Sequence, residues 1–390
     1  MPPTPVPQLW ADPDDRRHDP PTIAEEEIYD QPMSSSSPTI EPEYDDLHQW
    51  LTGLPKIELH CHLEGSMSVA TVAALSDRHG VDPTILWKDG LPEAFSFVDF
   101  PDFGLQYFYG VSMLRTAEDI ATVTDDLAAT LARQNVRYAE LTTTAFTYFL
   151  DTAGLEVGRP PVSPEEYRDG LDEGRRRAAA RGVDIGWVVD IPRDMEGPES
   201  TVTTDYVCGP FAPDGLVGLG LGGYEVGNPA GPYRDRFAQA RAAGLRSLPH
   251  AGETEGSDSV SQALLDLGAD RIGHGVRCLE DPEVVELLIE RDVMLEVCPT
   301  SNLLLGVVDD LAAHPLPELR EAGLRVCVNT DDPGWFATDL VTELRIASEV
   351  LGVDQETHLG MQLDAVKASY ASDAQKATIA AELDTFGSQS

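Results

Sequence analysis

One pattern limits what this chain can fold into more than any other. From about residue 47 onward, short apolar runs alternate with longer stretches whose apolar residues recur at helical spacing. The candidate strands are 56–62, 136–141, 184–191, 216–223, 246–250, 271–275, 294–299 and 325–330. Between them lie amphipathic segments at 116–134, 164–181, 235–243, 259–268, 281–291 and 316–322. Strand–helix alternation predicts a parallel sheet with its helices outside, because a parallel neighbour is reached only through a crossover. Eight such units predict an α/β fold of the (β/α)8 TIM-barrel type. An open doubly wound sheet is the alternative, but no Gly-x-Gly-x-x-Gly turn follows a strand and opens a helix. The first unit is unusually long, running from His62 to Val136, and its aromatic-rich segment 95–109 is expected to form a lid over the barrel mouth. The chain after Asp339 reads as a helical extension packed on the barrel's outside.

Residues 1–46 differ from everything that follows. They hold ten of the 29 prolines, twelve acids against Arg16 and Arg17, and the run Ser34–Ser37. Such a segment cannot bury enough apolar surface to offset its ordering entropy, so a disordered tail is expected before a single folded unit over 47–390. Across all 390 residues, 27 basic against 68 acidic side chains give a net charge of −41. A surface that acidic repels phosphate backbones and anionic headgroups, which argues against nucleic acid and membrane as partners. Only Lys56, Lys88, Lys367 and Lys376 are lysines. An acidic, Lys-poor surface fits either a high-salt habitat or an Arg-preferring genome. No apolar run is long enough to span a membrane, and no basic start with an apolar stretch marks an export signal. The five scattered cysteines form no disulfide framework. A cytoplasmic location is expected.

In a barrel, chemistry gathers where the strands end. The first strand ends His60-Cys61-His62, and a period of two puts both imidazoles on one face. Pro249-His250-Ala251-Gly252-Glu253, Gly273-His274-Gly275 and Asn329-Thr330-Asp331-Asp332-Pro333 close three later strands. Singly, each has a plain structural reading: a core histidine bonded to backbone, or a capping turn. Together, four of the nine histidines stand at three strand ends beside a lone Glu and an Asp pair. Three imidazoles and a carboxylate form a nitrogen and oxygen donor set suited to Zn²⁺ with an open position for water.

These segments, with Glu64-Gly65-Ser66 and Cys298-Pro299-Thr300-Ser301-Asn302, resemble in order the signature set of the adenosine/adenine deaminase family of amidohydrolase barrels. The resemblance implies one zinc per chain, ligated by His60, His62, His250 and Asp331. No lysine stands near the end of the fourth strand to bridge a second metal. It implies hydrolytic removal of the amine from C6 of a purine, with Glu253 as the acid at N1. His274 would orient the water and stabilise charge on the attacking oxygen, and Asp331 would help accept its proton. Asp332 would face N7, the backbone N–H of Gly223 would face N3, and Phe103 and Tyr107 would wall the base. Two positions depart from the pattern of members that act on adenosine. Glu64 stands where Asp usually meets the ribose 5′ hydroxyl, and Tyr224 replaces the Asp of a Gly-Asp-Glu run. The substrate implied is adenosine or 2′-deoxyadenosine; the alternative is another 6-aminopurine, either adenine or a 5′-modified adenosine such as aminodeoxyfutalosine. Opening of a cyclic amide, or a non-catalytic binding protein on the same barrel, are the rival readings.

Overall fold

The computed structural model of the chain describes residues 45–153, 158–195 and 198–389. The segment read as a tail lies, apart from Asp45 and Asp46, outside the described residues. Eight strands follow one another around the fold: β1 (Lys56–His62), β2 (Val136–Thr143), β3 (Asp184–Pro192), β4 (Leu216–Gly222), β5 (Arg246–Ala251), β6 (Arg271–His274), β7 (Met294–Val297) and β8 (Val326–Val328). Every sequential pair is parallel. The ring shuts between β8 and β1, where the His62 N–H donates to the Asp331 carbonyl at 2.7 Å and the Asp331 N–H donates to the His60 carbonyl at 3.0 Å. Asn329 continues the seam by accepting the Leu59 N–H on its side-chain oxygen at 2.9 Å. This is the (β/α)8 barrel that the alternation predicts.

All seven residues of β1 are buried, because its inner face meets the barrel interior and its outer face meets helices. The predicted strand 325–330 is longer than β8, since past Val328 the ladder gives way to side-chain bonding and Asp331 adopts a φ of 64°. The predicted helix 259–268 is split into an α-helical turn Ser257–Gln262 and a π-helical turn Ala263–Leu267.

The long first unit carries three helices, Val69–His79, Phe100–Ser112 and Ala117–Arg133. Asp99 caps the second by accepting the Asp102 N–H, and Pro101 sits in its first turn. That helix lies across the C-terminal mouth of the barrel as the expected lid, with Phe100, Phe103 and Tyr107 facing the cavity below. At the other end the C-terminal helices Leu340–Glu349, Gln355–Ala368 and Asp373–Gly387 do more than line the outside. The Ile57 N–H donates to Gln362 Oε1 at 2.8 Å, the Ala368 carbonyl accepts from Arg271 at 3.0 Å, and the Tyr370 N–H donates to Glu140 at 2.6 Å. The extension therefore caps the floor of the barrel. Among the described residues, no helix is long and apolar enough to cross a membrane.

Candidate active site

The strand ends bring four donor atoms together, one each from His60, His62, His250 and Asp331, all within 4.8 Å of one another. His62 Nε2 lies 3.1 Å from His250 Nε2, and Asp331 Oδ1 lies 3.2 Å from Nε2 of both His60 and His62. The outward ring nitrogens are held from behind. His60 Nδ1 meets Glu296 Oε2 at 3.2 Å, and His250 Nδ1 meets the Leu221 carbonyl at 3.2 Å. Such backing acceptors fix the tautomer that turns an Nε2 lone pair inward, as metal-binding imidazoles require. Glu296 is itself paired with Arg271 at 2.5 Å, and Arg271 with Glu140 at 2.5 Å, so His60 rests on a buried ladder of alternating charge. Burial alone would lower the pKa values of His60 and His62. Their carboxylate neighbours outweigh it and push them to about 10 and about 9. Those same carboxylates would stabilise a divalent cation at this point, and the donor set fits one. At His250 burial and the surrounding imidazoles outweigh the pull of Asp331 and hold it well below its ordinary value.

Above the cluster stand Glu253, His274 and Asp332, all buried and all facing one cavity. Burial, then the charge of Asp331, pushes the Glu253 carboxyl well above its usual range, and the same two causes act on Asp332. A carboxyl held toward its protonated form can donate a hydrogen bond as well as accept one. Asp332 Oδ1 is buried with no protein partner. His274 has its pKa lowered to about 3, chiefly by burial, and is neutral. Its Nε2 lies 3.7 Å from Glu253 Oε1 and 3.8 Å from Asp331 Oδ2. His274 and Asp331 both hold positive φ, 61° and 64°, a strained conformation for residues with a Cβ.

Gly65 makes room for Asp332. A Cβ added there would sit 1.7 Å from Asp332 Oδ1. Gly65→Ala is therefore expected to displace that carboxyl and lower kcat/KM by about 100-fold or more without loss of metal. Steady-state kinetics beside elemental analysis checks this, and a variant within threefold of the parent would remove Asp332 from the chemistry.

Glu225 has no counterpart among the residues singled out from sequence. Its carboxylate accepts the backbone N–H groups of Gly252, Glu253 and Thr254 at 3.0, 2.8 and 3.0 Å, takes the Ser259 hydroxyl, and faces Arg193 at 3.6 Å. It clamps the turn that carries Glu253. The signal for it in sequence is its place as the Glu of the Gly223-Tyr224-Glu225 run, two residues past a glycine-rich strand.

The cavity under the lid has apolar walls from Phe100, Phe103, Phe108, Met195 and Leu305. His62, His250, Glu253, His274, Asp331, Asp332 and Gly223 all line it, and so does Tyr107. Gly223 has a φ of 87°, and a Cβ there would lie 2.4 Å from Asp194 Oδ1. Glu64 does not line the cavity. It is fully buried, and its carboxylate accepts from Thr143 at 2.5 Å, Tyr148 at 2.9 Å and the lid's Tyr107 at 3.3 Å. Tyr224 likewise turns to the lid, with its ring 5.3 Å from that of Phe100. Both departures from the family pattern thus touch the helix over the mouth. Asp190, which sequence reading passed over, does line the cavity, at the end of β3 with Thr144 donating to it at 2.7 Å.

A barrel of this topology with three inward imidazoles and a carboxylate at its C-terminal mouth is a metal-dependent amidohydrolase. The profile of the adenosine deaminase family matches residues 55–386, and the chain belongs to that family. It is 42% identical over 347 residues to an aminodeoxyfutalosine deaminase of Streptomyces avermitilis, covering 87% of this chain and 93% of that protein. It is 36% identical over 335 residues to an adenine deaminase of Rhodospirillum rubrum, covering 86% of this chain and 97% of the other. The crystal structure of an adenine deaminase from Arthrobacter aurescens superposes with a TM-score of 0.78 at 31% identity, covering 86% of this chain and 99% of that one. The chain is a deaminase of this family.

Proposed function

We propose that the chain hydrolyses the exocyclic amine of a 6-aminopurine nucleoside modified at its 5′ position, with aminodeoxyfutalosine as the first candidate. The observation that carries the 5′ reading is the placement of Glu64. Its acceptor oxygens are taken up by Thr143, Tyr148 and Tyr107, which leaves it poorly placed to receive a ribose 5′ hydroxyl. The relatives support the same choice, since aminodeoxyfutalosine deaminases of two Streptomyces species match at 42% and 40% identity and adenine deaminases at 34–36%. Adenosine itself has less support than this alternative. Nucleotides are disfavoured because no Lys or Arg among the described residues lines the cavity to pair with a phosphate.

The donors His60, His62, His250 and Asp331 would hold one Zn²⁺, because the other cluster of possible ligands, His274 with Cys298, shares Asp331 with the first. When bound, zinc supplies the Lewis acidity that makes water a nucleophile near neutral pH. Protonated Glu253 donates to purine N1 as electron density moves there during attack at C6. Protonated Asp332 donates to N7, and the N–H of Gly223 meets N3. His274 points at the attacking oxygen, and Asp331 Oδ2, already held by the Ser301 hydroxyl at 2.7 Å, helps accept the water's proton. That proton passes on to the amine, the C6–N bond breaks and ammonia leaves, and the proton lost from the C6 hydroxyl as the carbonyl forms restores the Glu253 acid. Phe103 and Tyr107 wall the base, and Asp190 with Thr144 offers polar groups on the side where the sugar emerges.

The test is a panel of adenosine, 2′-deoxyadenosine, adenine, AMP, 5′-methylthioadenosine and aminodeoxyfutalosine, followed by ultraviolet absorbance and ammonia release. The expected order puts the 5′-modified nucleosides at least about 100-fold above adenine and AMP in kcat/KM. Turnover confined to adenine would replace the nucleoside reading with the base. Silence across the panel from metal-loaded protein would leave a non-catalytic binder.

A further inference from the structure

We infer that His314 and Asn302 are positioning residues that fix which nitrogen of His274 carries its proton, holding the ring with Nε2–H directed into the site. The three side chains form one hydrogen-bonded row, and all are almost fully buried. His314 Nδ1 lies 3.2 Å from the backbone N–H of Leu316. His314 Nε2 lies 3.1 Å from Asn302 Oδ1, and Asn302 Nδ2 lies 3.3 Å from His274 Nδ1.

The direction of the row is set at its far end. A backbone N–H can only donate, so His314 Nδ1 must be the accepting nitrogen. A neutral imidazole that accepts at Nδ1 carries its proton on Nε2, so His314 donates to Asn302. The amide then presents its oxygen to His314 and its NH₂ to His274. His274 accepts at Nδ1 and holds its proton on Nε2. The reverse arrangement, with Asn302 flipped and His274 donating from Nδ1, would turn His314 over and set its Nδ1–H against the Leu316 N–H, two donors face to face in a buried site.

The inference rests on the role given to His274 above and sharpens it. With Nε2–H facing the cavity, His274 is a hydrogen-bond donor to the attacking oxygen and has no lone pair there to take the water's proton. Acceptance of that proton falls to the carboxylate of Asp331. The row also gives a task to Asn302, the last residue of the Cys298–Asn302 motif, and to a histidine that no strand end presents.

The experiment is nitrogen-15 NMR of the zinc-loaded, histidine-labelled full chain, read beside kcat and KM. Wild-type His274 should show a pyrrole-type Nε2 and a pyridine-type Nδ1. His314→Gln keeps a donor at the same reach and should preserve both the tautomer and kcat within about threefold. His314→Leu removes the donor and frees the amide to turn; the tautomer should become mixed and kcat should fall about 10- to 100-fold with KM unchanged. Asn302→Asp keeps the shape but accepts from both rings, so His274 should move its proton to Nδ1 and lose kcat by about 100-fold or more. Should any of the three variants fail to fold, the wild-type spectrum decides. A pyridine-type Nε2 in wild type overturns the inference, and so does a His314→Leu protein that keeps both tautomer and rate. Because the spectrum needs no substrate, a silent substrate panel beside the expected tautomer would strike the proposed reaction and leave the row standing.

Discussion

Glu253→Gln is expected to lower kcat by about 10³-fold or more while the metal content of the chain stays the same. The side chain is nearly unchanged in shape, and an amide still donates a hydrogen bond, so binding of a purine edge survives. A proton transfer to N1 does not. About 10³-fold corresponds to roughly 4 kcal/mol of transition-state stabilisation, within the range of one well-placed general acid. The pH profile supplies an independent check. Glu253 must be protonated to act, and its pKa is raised by burial and by Asp331, so the wild-type rate should fall as pH climbs through that raised value. The residual activity of the variant should lack that limb. Stability should move the other way. A carboxyl whose folded pKa exceeds its unfolded value binds a proton on folding, which weakens the fold increasingly as pH rises from the unfolded value to the folded one. Gln carries no such penalty, so the variant should melt higher than wild type at pH 8. A kcat within tenfold of wild type would mean that the acid at N1 is another group.

Stripping the metal with a chelator is expected to abolish turnover and lower the melting temperature, and added Zn²⁺ should restore both. The donors come from β1, from β5 and from the turn just past β8, so an ion at their focus ties together segments 188 and 271 residues apart in sequence. A ligand present at a thousandfold excess over its Kd stabilises by about 4 kcal/mol. For a domain of this size that is roughly 5–10 °C. Calorimetry of the stripped and reloaded protein, with elemental analysis at each stage, measures it. Full turnover by protein shown to be free of metal would sink the assignment of the four donors.

Much of this architecture is legible in the residues because parallel barrel strands are buried on both sides and bounded by turn residues. The stretch 56–62 matches β1 end to end. His60 and His62 can be placed on one inner face by the period of two alone. Other features depend on segments that meet only once the chain is folded. Glu64 reads as a contact to substrate until Tyr148, 84 residues on, and the lid's Tyr107 arrive to occupy it. Glu225 reads as the neighbour of an unusual tyrosine, because its three backbone donors belong to the turn after the next strand. His314 lies in a proline-flanked loop that looks like a plain connection, and only the fold's return to Asn302 gives it a partner. Tyr224 reads as the replacement of an acid in a Gly-Asp-Glu run, whereas aromatic packing turns it toward Phe100. In each case the residue type was visible, but the identity of its partner was not.

The seam between β8 and β1 also bears on how the protein is made. His60 leaves the ribosome early, whereas Asp331 is translated 271 residues later and reaches the cluster only through the closing bonds to His60 and His62. A nascent chain halted before residue 331 would present imidazoles with no carboxylate to complete them. Tight capture of the ion therefore belongs to the end of synthesis, after the contact that closes the barrel has formed. Truncated or stalled copies would hold a metal ion poorly, and occupancy would mark finished molecules.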